Sequence, residues 1–455
     1  MAFGAFDSQI TRRGYVTEAM DTIWSERSTV QSWYDVEAAL ARVQTKLGMI
    51  PEGTGTRITQ QAKATDAVME RIFSGTAGNP FALGLDCLRQ TLDETTRRWV
   101  HFGATTQDIL DTARNLQIRD SLDLIDSCTN DLLKITRLLA DRHAETIMVA
   151  RTNGQHAVPT TLGMRFARWT ADLERSRERM TQTRHRCLLV QFSGAAGTYA
   201  SMGSHGATVA TEIARELGLT CELIAWHASR DALTELSCNL AIHAQVLAKI
   251  TEDLYNMQRT DLREAAEALD PHLSGSSTMP QKRNPFSTMK ITAAARMAAG
   301  AAATVLTNPP GDFERDHRQL EVERDAVPRI LAAVDGAGQK LLTLLNALDF
   351  NVDQLAANAH REGILLVSEG IMMELAPRLG HEEAHDLLQE FSAAHRADGT
   401  SLRDFIGTHP HVAEKLSGLD LDELSDPYRY TGLSAKLSHL VAEDRPHTGN
   451  DVMRR

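Results

Sequence analysis

The feature that most constrains this chain is a period. Between residues 239 and 267, Leu240, Leu247, Ile250, Leu254 and Met257 recur at spacings of seven, three, four and three. That spacing sets them on one stripe of a helix packed in a bundle. The segments 116–145 and 329–347 (RILAAVDGAGQKLLTLLNA) repeat the style. Residues 286–306, FSTMKITAAARMAAGAAATVL, are rich in small side chains that allow close helix–helix approach. So weakly polar a helix is buried on most sides, as in a subunit interface. Alternating strand patterns are scarce. The predicted fold class is all-α, built on long bundle helices.

The breaks organise the rest. Pro51-Glu52-Gly53 ends a first helix over about 28–48, and Gly75 to Pro80 reads as a loop. Asn308-Pro309-Pro310-Gly311 ends the Ala-rich helix, and a boundary near 355–365 separates the long helices from shorter ones. The chain closes in a polar tail from Glu443 to Arg455.

At 455 residues the chain is too long for one ordinary core, so two or three domains are expected. A net charge of −12 argues against nucleic acid as the main partner. It leaves room for an anionic substrate, because a local cluster of Arg and Lys reverses the field inside a cleft. Five dispersed cysteines without a CxxC pair read as reduced thiols, with no zinc site. The first residues carry no apolar signal core, and no run of about 18 apolar residues marks a membrane span. The expected location is cytoplasmic.

Four polar stretches interrupt the helical pattern: His101 to Asp108 (HFGATTQD), Arg151 to Ala157 (RTNGQHA), Gly275 to Pro285 (GSSTMPQKRNP), and Glu314 to Arg318 with Glu323 to Asp325. Each has a plain reading. Thr105, Thr106 and Asp108 suit helix caps. Asn153 and His156 suit a helix end, the charged run suits a solvated face, and Gly275-Ser276-Ser277 suits a turn. Together they also fit a chemical reading. Ser and Thr hydroxyls, helix N-termini and cationic side chains make a site for carboxylates. A loop serine acts as a base only where N–H groups and positive charge stabilise its alkoxide, and Lys282 and Arg283 supply that charge. The matching reaction is proton abstraction beside a carboxylate, followed by expulsion of a β-substituent to give an alkene.

The third stretch resembles the signature loop of the fumarase/aspartase superfamily, close to G-S-S-x-M-P-x-K-x-N, at every fixed position. The first is similar to that superfamily's H-x-G-x-T-S-x-D segment. Arg151 to Gly163 resembles R-T-H-x-Q-x-A-x-P-T-T-x-G except at Asn153. The order of motifs agrees, as do Phe192 to Gly197 and Gln258 to Asp261. Within the superfamily, Trp226 to Asp231 and Pro427 to Tyr430 lean towards the 3-carboxy-cis,cis-muconate cycloisomerase branch rather than adenylosuccinate lyase. Gln281 stands where both branches usually carry His.

The resemblance implies three helical domains (1–112, 113–360 with the signature loop at 275–285, and 361–455). It further implies a homotetramer with a twenty-helix core and active sites shared by three subunits. It implies Ser276 as base, with Lys282 and His156 catalytic. His101, Thr105, Thr106, Arg151, Asn153, Gln155, Asn284, Arg315 and Arg324 are expected to bind substrate. No cofactor or metal is required in these branches, and neither a membrane nor a nucleic-acid partner is expected.

One departure decides the expected leaving group. Adenylosuccinate lyases carry His where this chain has Asn153, and an amide has no titratable proton near neutral pH. Amine release needs a proton, whereas a stable anion does not. The leading expectation is therefore a lyase acting on a succinate-type di- or tricarboxylate and releasing a small anion, as nitrosuccinate releases nitrite. The alternatives are the muconate cycloisomerase, adenylosuccinate lyase, and a non-catalytic helical scaffold.

Overall fold

The computed structural model describes residues 4–75, 79–268, 276, 278–279 and 281–443. Part of the expected loop at Gly75–Pro80, part of the signature loop (Gly275, Ser277 and Pro280) and the polar tail after Glu443 lie outside the described residues.

Long helices carry the fold, which is all-α: Thr106–Arg142, Leu162–Cys187, Asp231–Met257, Phe286–Leu306 and His317–Ala347. All five residues of the predicted stripe, Leu240 to Met257, are buried. Each such side chain contributes roughly 2 kcal/mol of hydrophobic stabilisation. The chain divides into two compact units whose bounds fall within the long helices.

The first unit comprises Met1–Asp131, Glu174–Thr251 and Ser287–Leu342. Its first long helix, Glu26–Lys46, starts where the Ser25 hydroxyl accepts the Ser28 N–H at 3.2 Å. It packs on Thr54–Gln61 so closely that a Cβ at Gly55 would lie 2.7 Å from the Ala41 carbonyl oxygen. Tyr34, Leu40, Phe81, Leu88, Ile109 and Ile213 fill the core of this end. In the bundle, the Ser176 hydroxyl meets His243 Nδ1 at 2.8 Å, and Asn239 donates to the Thr183 hydroxyl at 2.6 Å. Gly336 lets the backbone at Tyr15 cross the helix His317–Ala347, where any Cβ would collide with the Tyr15 carbonyl.

The second unit comprises Leu132–Leu173, Glu252–Phe286 and Thr343–Arg455. Its C-terminal helices, among them Ser368–Leu379 and His381–Asp398, bury Ile371, Leu375, Phe391, Phe405 and Ile406 together. It also holds an antiparallel hairpin, Ile147–Thr152 with Gln155–Thr161. Ile147 and Val149 face Ala359 and Leu366 from that hairpin.

Three sequence expectations need correction. The helix predicted across 239–267 stops at Met257. There the N–H groups of Gln258 and Arg259 bond three residues back, Arg263 takes a left-handed φ of 53°, and Glu264 N returns to the Met257 carbonyl at 2.8 Å. The chain then leaves as a short strand, Ala265–Ala266, paired with Asp349–Phe350. The stretch Arg151–Ala157 is no helix end but the turn of the hairpin. Finally, the charged run does not interrupt a helix from His317 onward. The helix begins at His317 and continues through Pro328, with Arg329 paired to Asp325 four residues earlier at 2.9 Å.

Candidate active site

The expected site residues are divided between the units. His101, Thr105, Thr106, Arg315 and Arg324 belong to the first, and the other seven belong to the second.

In the first unit the chain turns sharply before the helix Thr106–Arg142. His101 has φ 65° and Gly103 φ 78°. His101 Nδ1 lies 2.6 Å from Glu37 Oε1, a carboxylate only 1% exposed. That bond holds the ring despite its strained backbone. Thr105 precedes the helix, and its N–H donates to Asp108 Oδ2 at 3.0 Å, half of a capping box with Asp in place of Glu. The capping reading of Asp108 is thus correct, and Asp108 does more. Fully buried, it also accepts the N–H of Ser193 at 3.1 Å, the N–H of Gly194 at 3.0 Å and His227 Nε2 at 2.9 Å.

Arg315 approaches the same turn from the other side. It donates to the Thr105 hydroxyl at 2.7 Å and to the carbonyls of Gly194 at 3.3 Å and Ala195 at 2.5 Å. Arg324 lies on the helix with an exposed side chain, paired with Glu321 at 3.0 Å. Beside this group sits a buried ionic quartet. Arg230 spans Asp111 at 2.8 Å and Glu323 at 2.5 Å, and Arg114 bonds both carboxylates. Burial by itself would push the Asp111 carboxyl up, but Arg230 and Arg114 outweigh it and hold the group below its ordinary value.

In the second unit the hairpin explains four expected residues. Thr152 pairs with Gln155, so the loop is two residues, Asn153 and Gly154, with φ 52° and 78°. Two successive positive φ values define a type I′ turn, for which Asn-Gly is the favoured pair. Asn153 and Gln155 are exposed. Arg151 stands opposite His156 in register. Its guanidinium is taken by Glu264 through two hydrogen bonds of 3.0 and 2.5 Å, and Asn358 donates to the same carboxylate at 2.9 Å. His156 is largely enclosed, with Nδ1 at 3.4 Å from Glu362 Oε1.

In the signature loop, the Ser276 hydroxyl oxygen accepts the N–H of Thr278 at 3.3 Å and of Met279 at 3.0 Å. Two backbone donors on one oxygen are what an alkoxide requires. Lys282 is exposed, its own N–H bonded to the Met279 carbonyl at 3.0 Å. Asn284 is half-buried and leads through Pro285 into the helix Phe286–Leu306.

Sequence reasoning missed Glu37 and Glu264, the carboxylates that hold His101 and Arg151. A signal existed for Glu37, a lone charge within the apolar run Val36–Ala41. None marked Glu264, whose partner is more than a hundred residues away.

The fold is all-α, with the candidate serine and lysine set in a loop and the candidate histidine in a hairpin. Comparison with known proteins gives the family. Residues 12–300 match the lyase family, and residues 365–439 match the adenylosuccinate lyase C-terminus. The chain is 34% identical to 3-carboxy-cis,cis-muconate cycloisomerase of Pseudomonas aeruginosa over 92% of each sequence. It is 33% identical to adenylosuccinate lyase of Pyrococcus horikoshii, over 94% of this chain and 96% of that one. The crystal structure of fumarate lyase from Mesorhizobium sp. BNC1 superposes with a TM-score of 0.87 at 35% identity, covering 94% of this chain and 98% of that one. The chain belongs to the fumarase/aspartase superfamily of lyases. Among the described residues, no helix is long and apolar enough to cross a membrane.

Proposed function

We propose that this lyase performs β-elimination on a succinate-type polycarboxylate, giving fumarate or a fumarate-like alkene. The observation that carries the reading is the Ser276 oxygen held by two backbone N–H groups in a loop that also bears Lys282 and Asn284. In the reaction the Ser276 alkoxide takes the proton beside a carboxylate. The electron pair passes into that carboxylate as a dianion, which Lys282 and Asn284 stabilise. It then returns to form the carbon–carbon double bond, and the β-substituent leaves with the electrons of its own bond. Thr105, Thr106, His101, Arg151, Gln155, Arg315 and Arg324 serve carboxylate binding. The chemistry as written uses protein groups alone.

The finer part of the proposal concerns the leaving group. Asn153 orients it but donates no titratable proton, which favours a group stable as an anion. Nitrite from nitrosuccinate is the preferred assignment, with His156 available for substrates that need a proton. The second reading is 3-carboxy-cis,cis-muconate cycloisomerase, where the leaving carboxylate is internal and also needs no proton. It is favoured by Trp226 to Asp231 and Pro427 to Tyr430. Adenylosuccinate lyase ranks third, and an idle scaffold has no use for Ser276 beside Lys282. The working form in this reading is a cytoplasmic homotetramer of three-domain subunits (1–112, 113–360, 361–455), with three subunits contributing to each site.

Absorbance at the fumarate band, read against nitrosuccinate, adenylosuccinate, argininosuccinate, aspartate, malate and 3-carboxymuconate, tests this. A rise with nitrosuccinate is expected. A rise with another succinate derivative corrects the leaving group, loss of the muconate chromophore makes it the cycloisomerase, and silence across the panel overturns the reading.

A further inference from the structure

Two opposite charges grip one short loop from its two edges. The loop is Ser193-Gly194-Ala195, which turns at Gly194 with φ 75°. On one edge, buried Asp108 accepts the N–H groups of Ser193 and Gly194, and also that of Thr105. On the other edge, Arg315 donates to the carbonyls of Gly194 and Ala195, and to the Thr105 hydroxyl. Both charges therefore tie the loop to the same residue, Thr105.

The Asp108 carboxylate has four acceptor sites, and three go to backbone N–H groups. The fourth is filled by His227 Nε2 at 2.9 Å, on a ring 1% exposed. The ring is itself fixed by its backbone, since the His227 carbonyl accepts from Gln107 at 2.9 Å. A carboxylate is an acceptor only, so Nε2 is the donor. Without it, Asp108 would keep an unpaired lone pair in a buried site, which costs free energy and loosens the remaining bonds.

We propose that Asp108 and His227 are positioning residues for carboxylate recognition. His227 completes the shell of Asp108, Asp108 sets the backbone of Thr105 and of the 193–195 loop, and Arg315 closes the pair from the opposite edge. The proposal rests on the lyase reading, in which Thr105 binds a substrate carboxylate.

The test uses the full chain and two variants. His227→Leu removes the donor, and His227→Gln restores an amide N–H in its place. Hydrogen–deuterium exchange of the peptides spanning 101–108 and 190–198 reads the clamp without any substrate. Faster exchange, by about tenfold, is expected in His227→Leu in those two peptides and not in the C-terminal helices, with His227→Gln close to wild type. Fumarate binding by calorimetry reads the pocket. We expect roughly tenfold weaker binding in His227→Leu and recovery to within about threefold in His227→Gln. Unchanged exchange at 101–108 and 190–198, or no recovery with Gln, overturns the proposal. Absence of fumarate binding by the wild type overturns the fumarate-type product instead, and the exchange data then decide the clamp alone.

Discussion

Arg151 and Glu264 face each other through two parallel hydrogen bonds, and the Glu264 carboxylate has no exposed surface. A bidentate pair of this kind is both strong and geometrically specific. It ties the first strand of the hairpin to the segment that follows the helix Asp231–Met257. Glu264→Ala would leave the largely enclosed guanidinium without its carboxylate partner. The expected loss is about 3–5 kcal/mol, the range for breaking a buried ion pair. Urea unfolding measures it, and a loss below about 0.5 kcal/mol, the scale of an ordinary surface substitution, would show that the pair does not hold the hairpin.

Ser276→Ala should abolish turnover while leaving thermal stability and oligomeric state as in wild type. The side chain is half-buried in a loop, and its removal opens no core cavity. Turnover retained at even about a tenth of the wild-type rate would sink the assignment of Ser276 as the base.

The turn makes separate demands on its two residues. Asn153→Gly should be neutral for stability within about 0.5 kcal/mol, because glycine accepts positive φ as readily as asparagine. Gly154→Val, at φ 78°, should cost about 1–3 kcal/mol. Asn153→His should not raise the rate on the true substrate. A clear gain in kcat would mean that a proton donor was wanted at the tip of the hairpin.

His243 gives a pH signature. Burial in the bundle lowers its pKa to about 4, from the ordinary histidine value of 6.5. The folded chain therefore holds a neutral ring where the unfolded chain would take up a proton. The stabilisation is complete above pH 6.5 and is lost as pH falls from there towards 4, by on the order of 3 kcal/mol. His243→Met should remove this part of the acid dependence. Melting temperatures of the two proteins between pH 7 and 4 test it, and parallel curves would contradict it.

How much of this was readable beforehand depended on where each residue's partner lies. Leu240 to Met257 announced their helix because a periodic stripe needs only its own sequence. The Ala-rich helix Phe286–Leu306 is legible from a different local feature, its run of small side chains. The end at Met257 was hidden, since Leu262 and Ala265 continue an apolar pattern and the exit is fixed by Glu264 reaching Arg151. Asn153-Gly154 carries a hairpin signal, but its two strands are set in a sequence dominated by long helices, so the stretch reads as a polar interruption. Among the candidate site residues, hydroxyl and cationic side chains such as Thr105, Ser276 and Lys282 stand out by type. Glu37 stands out as a lone charge and Asp108 as a cap, but their partners, His101 and the 193–195 loop, are known only once the chain is folded.

The grip on that loop has a consequence for divergence. Asp108 holds Ser193 and Gly194 by their N–H groups, and Arg315 holds Gly194 and Ala195 by their carbonyls. None of these bonds reads a side chain of the loop. Ala195 and Ala196 are exposed, so their identities are free of the architecture that fixes their place. A descendant gene could rewrite those two positions and present a new surface there, while the anchoring of the loop stayed as it was. Main-chain anchoring separates what must be inherited from what can be tried.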